Sequence, residues 1–276
     1  MLTVDFGRLK PAPGCRVLDI GCGSGRHTAA AYRIPGAVAV GVDTAHSELA
    51  AARRRLELHD RLGEHGGGRW AFCAADGLWL PFAGGRFDLV ICAEVLEHVL
   101  DHERAAAEIA RVLRPGGDAV VSVPRYGPEM LCWALSRDYA PADGGHIRIY
   151  RKRALTALLE RAGLRVWRAH HAHSLHTPFW WLKCLAGPAR TDVRIVNLYH
   201  RFLTWDLMQK PRITRWVERL LNPVLGKSLV VYCKKPAGTF FGCRSRRAAS
   251  QPRLTQRLSR QRSHRLFESS KREAAR

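Results

Sequence analysis

The chain has 276 residues, of which 46% are hydrophobic and 25% charged, and its formal net charge is +21. This balance excludes a mainly disordered chain and predicts one or two domains with a sizeable core. The charge favours anionic partners, such as nucleic acid or an anionic lipid surface. No apolar run reaches about 18 residues, so no transmembrane helix is predicted. The eight cysteines include no C-x-x-C pair, so we expect reduced thiols in a cytoplasmic protein, with a peripheral position at the inner face of the membrane as the alternative.

Strand-like and helix-like segments alternate over the first 173 residues. Short apolar runs predict buried strands at 15–21, 37–43, 69–76, 87–95, 118–124 and 164–173. Segments with helical periodicity lie between them, at 25–34, 47–63, 102–117 and 151–163, and Pro115 and Gly116 end the third. Repeated alternation of this kind predicts a doubly wound parallel sheet with helices on both faces.

The alternation stops after residue 173. Residues 174–226 are rich in tryptophan and helix-like, and they predict a helical insertion before a last strand at 227–236. Residues 241–276 hold 11 Lys or Arg against 2 Asp or Glu, with few large apolar side chains. Such a segment cannot offset its ordering entropy. We therefore expect one domain over 1–240 and a basic, disordered tail that either binds RNA or an anionic membrane or has no function.

The most specific motif is VLDIGCGSGRHT at 17–28, which follows the first predicted strand and opens a helix. Its glycines Gly21, Gly23 and Gly25 let the backbone turn sharply and approach a ligand closely. A dinucleotide fingerprint would need glycine at position 26, where this chain has Arg26. The loop therefore predicts a nucleotide-like ligand without the full dinucleotide signature.

Two carboxylates follow neighbouring predicted strands. Asp43 ends the second strand, where a carboxylate can accept hydrogen bonds from both hydroxyls of a ribose. Asp76 follows the third strand, where it could accept from the amino group of an adenine. In open α/β sheets ligands bind outside the carboxyl ends of the strands, so both side chains are expected beside the glycine loop.

With FDLVICAEVLEHV at 87–99 and VLRPGG at 112–117, these residues make the chain resemble the class I S-adenosylmethionine-dependent methyltransferases, in particular the type 11 and ubiquinone-pathway members. The resemblance implies a Rossmann-like α/β fold, a seven-stranded sheet with an antiparallel last strand in a three-layer αβα sandwich. It implies S-adenosylmethionine as the cofactor, its methionine at the glycine loop, its ribose at Asp43 and its adenine at Asp76. The implied cofactor-binding residues are Asp19, Gly21, Cys22, Gly23, Gly25, Asp43, Asp76, Gly77 and Ala93.

A second constellation lies in AEVLEHV, which places Glu94, Glu97 and His98 on one face if a helix has begun there. His146, from the loop after the fifth strand, could complete a set that holds Mg²⁺ or Mn²⁺. The arrangement resembles that of ubiquinone-pathway O-methyltransferases and small-RNA 2′-O-methyltransferases, which implies a metal that positions substrate hydroxyls. His98 or His146 is then the candidate base or ligand. These residues could equally line the substrate pocket without a metal or serve the structure alone.

The insertion begins with Phe179, Trp180 and Trp181 beside Lys183. This group suits core packing, a lid over an apolar substrate, or contact with an anionic membrane. The histidines at 170, 171, 173 and 176 have no cysteine or acid beside them, so we expect His171 and His173 at the rim of the cleft rather than a zinc site.

These features together predict transfer of a methyl group from S-adenosylmethionine to a small, apolar or lipid-like acceptor, with oxygen as the favoured target atom. The net charge of +21 and the shared metal-like motif support RNA methylation as an alternative. A non-catalytic scaffold of the same fold is a third hypothesis, which predicts no cofactor binding. The sequence leaves the acceptor and the oligomeric state open.

Overall fold

The computed structural model describes residues 2–136, 139, 146–187 and 189–238. These residues fall within one compact unit, Met1–Gly238. The basic tail predicted for 241–276 lies outside the described residues, as does most of the loop that precedes His146.

A seven-stranded sheet forms the centre of the unit, in the order β3-β2-β1-β4-β5-β7-β6. Strand β7 runs antiparallel to β5 and β6, and the other neighbours are parallel. The strands are β1 Arg16–Ile20, β2 Val38–Asp43, β3 Arg69–Ala74, β4 Phe87–Ala93, β5 Leu113–Pro124, β6 Arg165–Ala172 and β7 Ser228–Lys234. The predicted doubly wound sheet with an antiparallel last strand is confirmed.

Helices cover both faces of this sheet. They are α1 Phe6–Leu9, α2 Arg26–Tyr32, α3 His46–Arg61, α4 His102–Val112, α5 Tyr126–Leu135, α6 Lys152–Arg161, α7 Thr177–Ala186, α8 Arg194–Gln209 and α9 Arg212–Leu225. A 3₁₀ turn, Ser174–His176, precedes α7. Helices α7 to α9 form the predicted helical insertion before the last strand. No helix in the described residues is long and apolar enough to cross a membrane.

Two apolar cores lie on opposite faces of the sheet. Strand β4 shows how one apolar run serves both, because successive side chains point to opposite faces. Val90 and Cys92 join the core beneath α4 and α6, whereas Leu89 and Ile91 join the core beneath α2 and α3. Burial on both faces explains why the strands are apolar throughout rather than alternating. The predicted three-layer sandwich is confirmed.

The helix predicted over 102–117 is too long. It ends at Val112, and β5 begins at Leu113, whose backbone pairs with Phe87 of β4. The sequence RPGG therefore lies within the strand as the structure assigns it, and Gly116 takes a positive φ of 75°. Sheet pairing, which local periodicity cannot show, sets this boundary.

The described cysteines carry free thiols, as expected. Six of the seven are buried, and Cys73 is partly exposed. Burial raises the pKa of the Cys92 thiol, so this side chain acts as a small apolar group in the core.

Candidate functional site

The glycine loop connects β1 to α2 with three residues in the left-handed region. Gly21, Gly23 and Gly25 have φ values of 63°, 48° and 76°. A Cβ on Gly21 would overlap the side chain of Val95, and one on Gly25 would lie 2.9 Å from the Cβ of Ala52. The loop therefore needs glycine for its conformation and for its close packing.

Asp43, at the end of β2, binds the loop directly. Its Oδ2 accepts a hydrogen bond from the Gly23 amide at 2.8 Å, and its Oδ1 accepts from the Ala45 amide at 2.9 Å. A carboxylate offers about four acceptor sites, so each oxygen can accept one more hydrogen bond. Asp43 can therefore hold the loop and still bind a pair of hydroxyls.

Asp19, one of the expected cofactor-binding residues, is buried and bonds to the start of α2. Its side chain is buried beneath the loop and accepts hydrogen bonds from the Thr28 amide, at 2.9 Å, and the Thr28 hydroxyl, at 2.7 Å. Burial raises the pKa of Asp19 to about 7, against the opposing effect of the Thr28 hydrogen bonds. The carboxylate thus secures the first turn of α2 from below.

A cavity of about 360 Å³ lies at the carboxyl edge of the strands, beside the loop. Its lining includes six of the predicted residues: Gly21, Asp43, Asp76, Gly77, Glu94 and His98. The others, Asp19, Cys22, Gly23, Gly25, Ala93, Glu97 and His146, are not among its lining residues. A larger cavity, of about 850 Å³, contains none of the predicted cofactor-binding residues. The smaller cavity is therefore the candidate cofactor site.

The residues of this cavity fit S-adenosylmethionine. Gly21 lines the cavity without a side chain, so a ligand there can approach the backbone closely. Asp43 supplies the acceptors that a ribose needs. Asp76 also lines the cavity and is exposed, and its Oδ1 accepts from the Leu78 amide at 2.9 Å, which fixes the turn that carries it.

The segment after β4 is a turn, so the predicted helical face at 94–98 is wrong. Glu94 has a positive φ of 56°, and α4 begins only at His102. The Glu94 carboxylate points to the sheet, where its Oε1 accepts from the Ser122 hydroxyl at 3.0 Å. Glu94 is therefore near Glu97 and His98 but is not part of the group whose ligand atoms come together.

Glu97, His98 and His146 do come together. One ligand-type atom from each lies within 4.8 Å of the other two, and the His98 and His146 rings are 5.1 Å apart. The Ile147 amide donates to the Glu97 carbonyl at 3.0 Å, which fastens the His146 segment to the turn. Among the His, Cys, Asp and Glu side chains of the described residues, these three are the ones close enough together to hold a metal ion. The histidines at 170–176 form no such group there.

Glu97 is fully buried, and its carboxylate accepts no hydrogen bond from another described residue. Burial, with the neighbouring Glu94 charge, raises the pKa of Glu97 well above 4.5. The folded protein therefore keeps this group protonated at a pH where the unfolded chain has released the proton.

This burial predicts a pH-dependent stability. As pH rises above 4.5, the unfolded chain binds fewer protons at Glu97 than the folded protein, so the free energy of unfolding falls until the folded pKa is passed. Glu97→Gln should remove that decline, because glutamine does not titrate. Urea unfolding between about pH 5 and pH 8 measures the slope. The exposed Glu57→Gln variant is the control, and a slope equal to wild type in Glu97→Gln would contradict the prediction.

Glu129 is a site residue that the sequence does not reveal. It lies on α5, is buried, and bonds to His146 Nδ1 through Oε1 at 2.5 Å. Burial, together with the charge of Glu129, raises the pKa of the nearby Tyr139 hydroxyl. A carboxylate on Nδ1 keeps a proton there, which leaves the lone pair of His146 on Nε2. The single acid in the apolar helix YGPEMLCWAL is the only sequence signal for it.

The aromatic group of α7 packs against α5. The Trp181 indole nitrogen donates to the Pro128 carbonyl at 3.1 Å. Trp180 lies between Tyr139, at 6.1 Å between ring centroids, and the Lys227 ammonium, at 4.7 Å. Of the three predicted roles, packing is the one these contacts describe, and the same rings border the His146 side of the site.

A family model for a methyltransferase domain matches residues 4–169, more than half of the chain. The chain belongs to this family and, with its sheet order and glycine loop, to the class I S-adenosylmethionine-dependent methyltransferases. That match covers β1 to β5, the turn with Glu97 and His98, and most of β6.

Two curated relatives resemble part of the chain. The O-methyltransferase cnsE of Penicillium expansum is 38% identical over 123 residues, 44% of this chain and 42% of that protein. A demethylmenaquinone methyltransferase of Parafrankia sp. is 42% identical over 124 residues, 42% of this chain and 48% of that protein. The chain thus spans less than half the length of these relatives.

A solved structure shows the same fold over most of the chain. An S-adenosylmethionine-dependent methyltransferase from Methanosarcina mazei superposes with a TM-score of 0.56 and 15% identity, covering 86% of this chain and all of that one. At this identity the likeness concerns the fold alone.

Proposed function

We propose that this chain transfers a methyl group from S-adenosylmethionine to a hydroxyl of a small, apolar acceptor. The observation that carries the proposal is the position of His98, which lines the candidate cofactor cavity and contacts His146. The candidate cofactor cavity therefore lies next to the imidazole pair of His98 and His146. The names of the two relatives above, an O-methyltransferase and a quinone-pathway methyltransferase, support a small acceptor.

The proposed chemistry assigns separate tasks to these residues. When bound, S-adenosylmethionine supplies an activated methyl group on a sulfonium sulfur. The glycine loop and Asp43 hold the cofactor in one orientation, because alignment of nucleophile and methyl dominates such a transfer. A hydroxyl becomes a good nucleophile only as its proton leaves, and His98 or His146 accepts that proton. The aromatic rings of Tyr139 and Trp180 form an apolar wall beside them.

Methyl transfer to an apolar acceptor is testable without knowing the acceptor. Purified chain is incubated with S-adenosylmethionine labelled on its methyl group and a cell extract, which is then split into lipid, RNA and protein fractions. We expect label in the lipid fraction. Asp43→Ala, which lacks the ribose-binding carboxylate, is the control and should give much less label. Label confined to RNA or protein, or no label in lipid, would contradict the proposed acceptor class.

A divalent metal fits this site only in part. The three-residue group offers two imidazoles and one carboxylate, and Glu94, the second expected carboxylate, faces Ser122 instead. Mg²⁺ prefers oxygen ligands, so the set suits it poorly, whereas Mn²⁺ accepts imidazole more readily. Glu97, His98 and His146 would hold such an ion.

We expect methyl transfer to persist after EDTA treatment, because the proposed base is an imidazole and the carboxylate set is incomplete. The same labelled-methyl assay, with and without EDTA, measures this. Loss of methyl transfer in EDTA would contradict the metal-free mechanism if added Mn²⁺ restored transfer by the wild type and if Glu97→Gln abolished transfer.

A further inference from the structure

Helix α9 faces its apolar side away from the protein. Ile213, Trp216, Leu220 and Val224 follow one another at helical spacing, and each is 62–70% exposed. An ordinary surface helix buries such a stripe against the core. The apolar stripe of α9 therefore has no partner within the described part of the chain.

Polar groups attach the opposite side of α9. The Asn222 side-chain oxygen accepts from the Ser174 amide at 3.0 Å, and the Glu218 carbonyl accepts from the Ser174 hydroxyl at 3.2 Å. Arg215 donates to Asp206 of α8 at 2.6 Å. These bonds hold the helix with its polar side inward, so the exposed stripe is a fixed feature of the fold rather than a loose segment.

Helix α8 repeats the pattern. Ile195, Leu198, Phe202 and Trp205 are exposed at helical spacing, and they line a shallow apolar groove with Tyr199 and Arg201. Helices α8 and α9 are joined by the two residues Lys210 and Pro211 and by the ion pair of Asp206 with Arg215. We call the exposed apolar side chains of residues 195–224 the α8–α9 surface. Eight large apolar side chains exposed on two consecutive helices are uncommon on a monomeric protein and indicate an interaction site.

The exposed charges of these two helices all have one sign. Over residues 193–225, all of which the structure describes, the exposed charged residues are Arg194, Arg201, Lys210, Arg212 and Arg219. The two acids of the segment, Asp206 and Glu218, are largely buried, and both pair with Arg215. The surface therefore combines aliphatic and tryptophan side chains with unopposed cations.

We propose that the α8–α9 surface docks on the interface of an anionic lipid bilayer. Helices with leucine, phenylalanine and tryptophan on one side and arginine or lysine on the other lie in that interface, and anionic headgroups pair with the cations. The long arginine side chains reach the headgroups while their stems cover apolar area. Trp205 and Trp216 have the apolar ring and single polar nitrogen that favour headgroup depth.

The same charges disfavour two other occupants. A symmetric contact with a second copy would bring like charges of the α8–α9 surface together. The tail 241–276, with 11 Lys or Arg against 2 Asp or Glu, has the same sign as the surface. An anionic bilayer is complementary in both charge and apolar character.

Aromatic contacts connect this surface to the candidate active site. Ring contacts run from His146 through Tyr139, Trp180, Phe179 and Tyr199 to Phe202 and Trp205, with centroid separations of 5.7–6.4 Å. An apolar molecule held in a bilayer would thus meet a continuous series of apolar rings. Docking itself does not depend on methyl transfer, and the experiment below uses neither cofactor nor acceptor.

Vesicle flotation tests the proposal with the full chain. Vesicles of phosphatidylcholine mixed with phosphatidylglycerol should bind the protein, and vesicles of phosphatidylcholine alone should bind it much less. Ile213→Ser with Trp216→Ser should lower partitioning about tenfold or more, since apolar burial supplies much of the affinity. Leu58→Ser with Leu62→Ser, at exposed apolar positions at the end of α3, is the matched control and should leave binding unchanged.

Charge-reversal variants test the electrostatic contribution to vesicle binding separately from the apolar one. Arg212→Glu with Arg219→Glu should abolish the preference for phosphatidylglycerol, whereas Arg86→Glu, at an exposed position just before β4, should retain it. No binding to mixed vesicles, equal loss in both serine variants, or equal binding to neutral vesicles would overturn the proposal. Light scattering that shows a dimer, dissociated by the Ile213 and Trp216 substitutions, would overturn it in favour of a second copy.

Discussion

Asp43→Ala is expected to weaken binding of S-adenosylmethionine and of its product S-adenosylhomocysteine by at least about a hundredfold. Two charge-assisted hydrogen bonds to ribose hydroxyls contribute about 1.5–3 kcal/mol each, and about 1.4 kcal/mol corresponds to a factor of ten in affinity. The substitution also frees the Gly23 amide, which Asp43 Oδ2 holds at 2.8 Å, so the loop loses part of its preorganisation. Isothermal titration with S-adenosylhomocysteine measures the effect.

Asp118→Ala is the matched control for this measurement. Asp118 lies on the same sheet and accepts from the Lys234 ammonium at 3.0 Å, away from the glycine loop. Its removal should leave cofactor affinity unchanged. Circular dichroism of Asp43→Ala without ligand shows whether the variant is folded. Unchanged affinity in a folded Asp43→Ala protein would contradict the assignment of this cavity to the cofactor.

The glycine loop and the sheet were predictable because their causes are local. Gly21 and Gly25 have positive φ values, which favour glycine. The adjacent strand is buried on both faces, which favours a continuous apolar run. Both features can therefore be recognised in the sequence. Asp43 follows from its place at the end of β2, since strand order alone brings that carboxylate beside the loop.

The turn at 94–98 was not predictable from periodicity. The segment AEVLEHV has helical spacing, yet Glu94 has a left-handed conformation and α4 starts eight residues later. The cause is tertiary: Val95 packs where a Cβ of Gly21 would lie, and Glu94 bonds to Ser122 on β5. Contacts with residues distant in sequence override the local pattern.

Helix α9 shows a second limit. Its sequence predicts an amphipathic helix, but periodicity does not state which side is buried. The side with Asn222 and Glu218 faces the protein, where Ser174 offers both an amide and a hydroxyl. An assignment of the core from the pattern alone would bury Trp216 and Leu220, whereas both are exposed in the structure.

Glu129→Gln is expected to lower kcat for methyl transfer about a hundredfold while KM for S-adenosylmethionine stays unchanged. Acid–base catalysis contributes about 10²–10⁴-fold, and a positioned imidazole needs its partner carboxylate to hold the productive tautomer. Glu129 lies outside the cofactor cavity and acts through His146, so it is a positioning residue. His146→Ala should lose at least as much activity, and the double variant should lose no more than His146→Ala alone.

Glu218 supplies the matched control, because it forms a second Glu–His pair remote from this group. Glu218 Oε1 lies 3.9 Å from His173 Nδ1, and both side chains are nearly buried. Glu218→Gln should leave kcat unchanged, although it removes a comparable carboxylate. If Glu129→Gln and Glu218→Gln lowered kcat equally, or if Glu129→Gln raised KM alone, Glu129 would serve only the packing of α5. A selective fall in kcat would instead show that a carboxylate on α5, absent from the motifs of the chain, sets the orientation of the imidazole at the reacting hydroxyl.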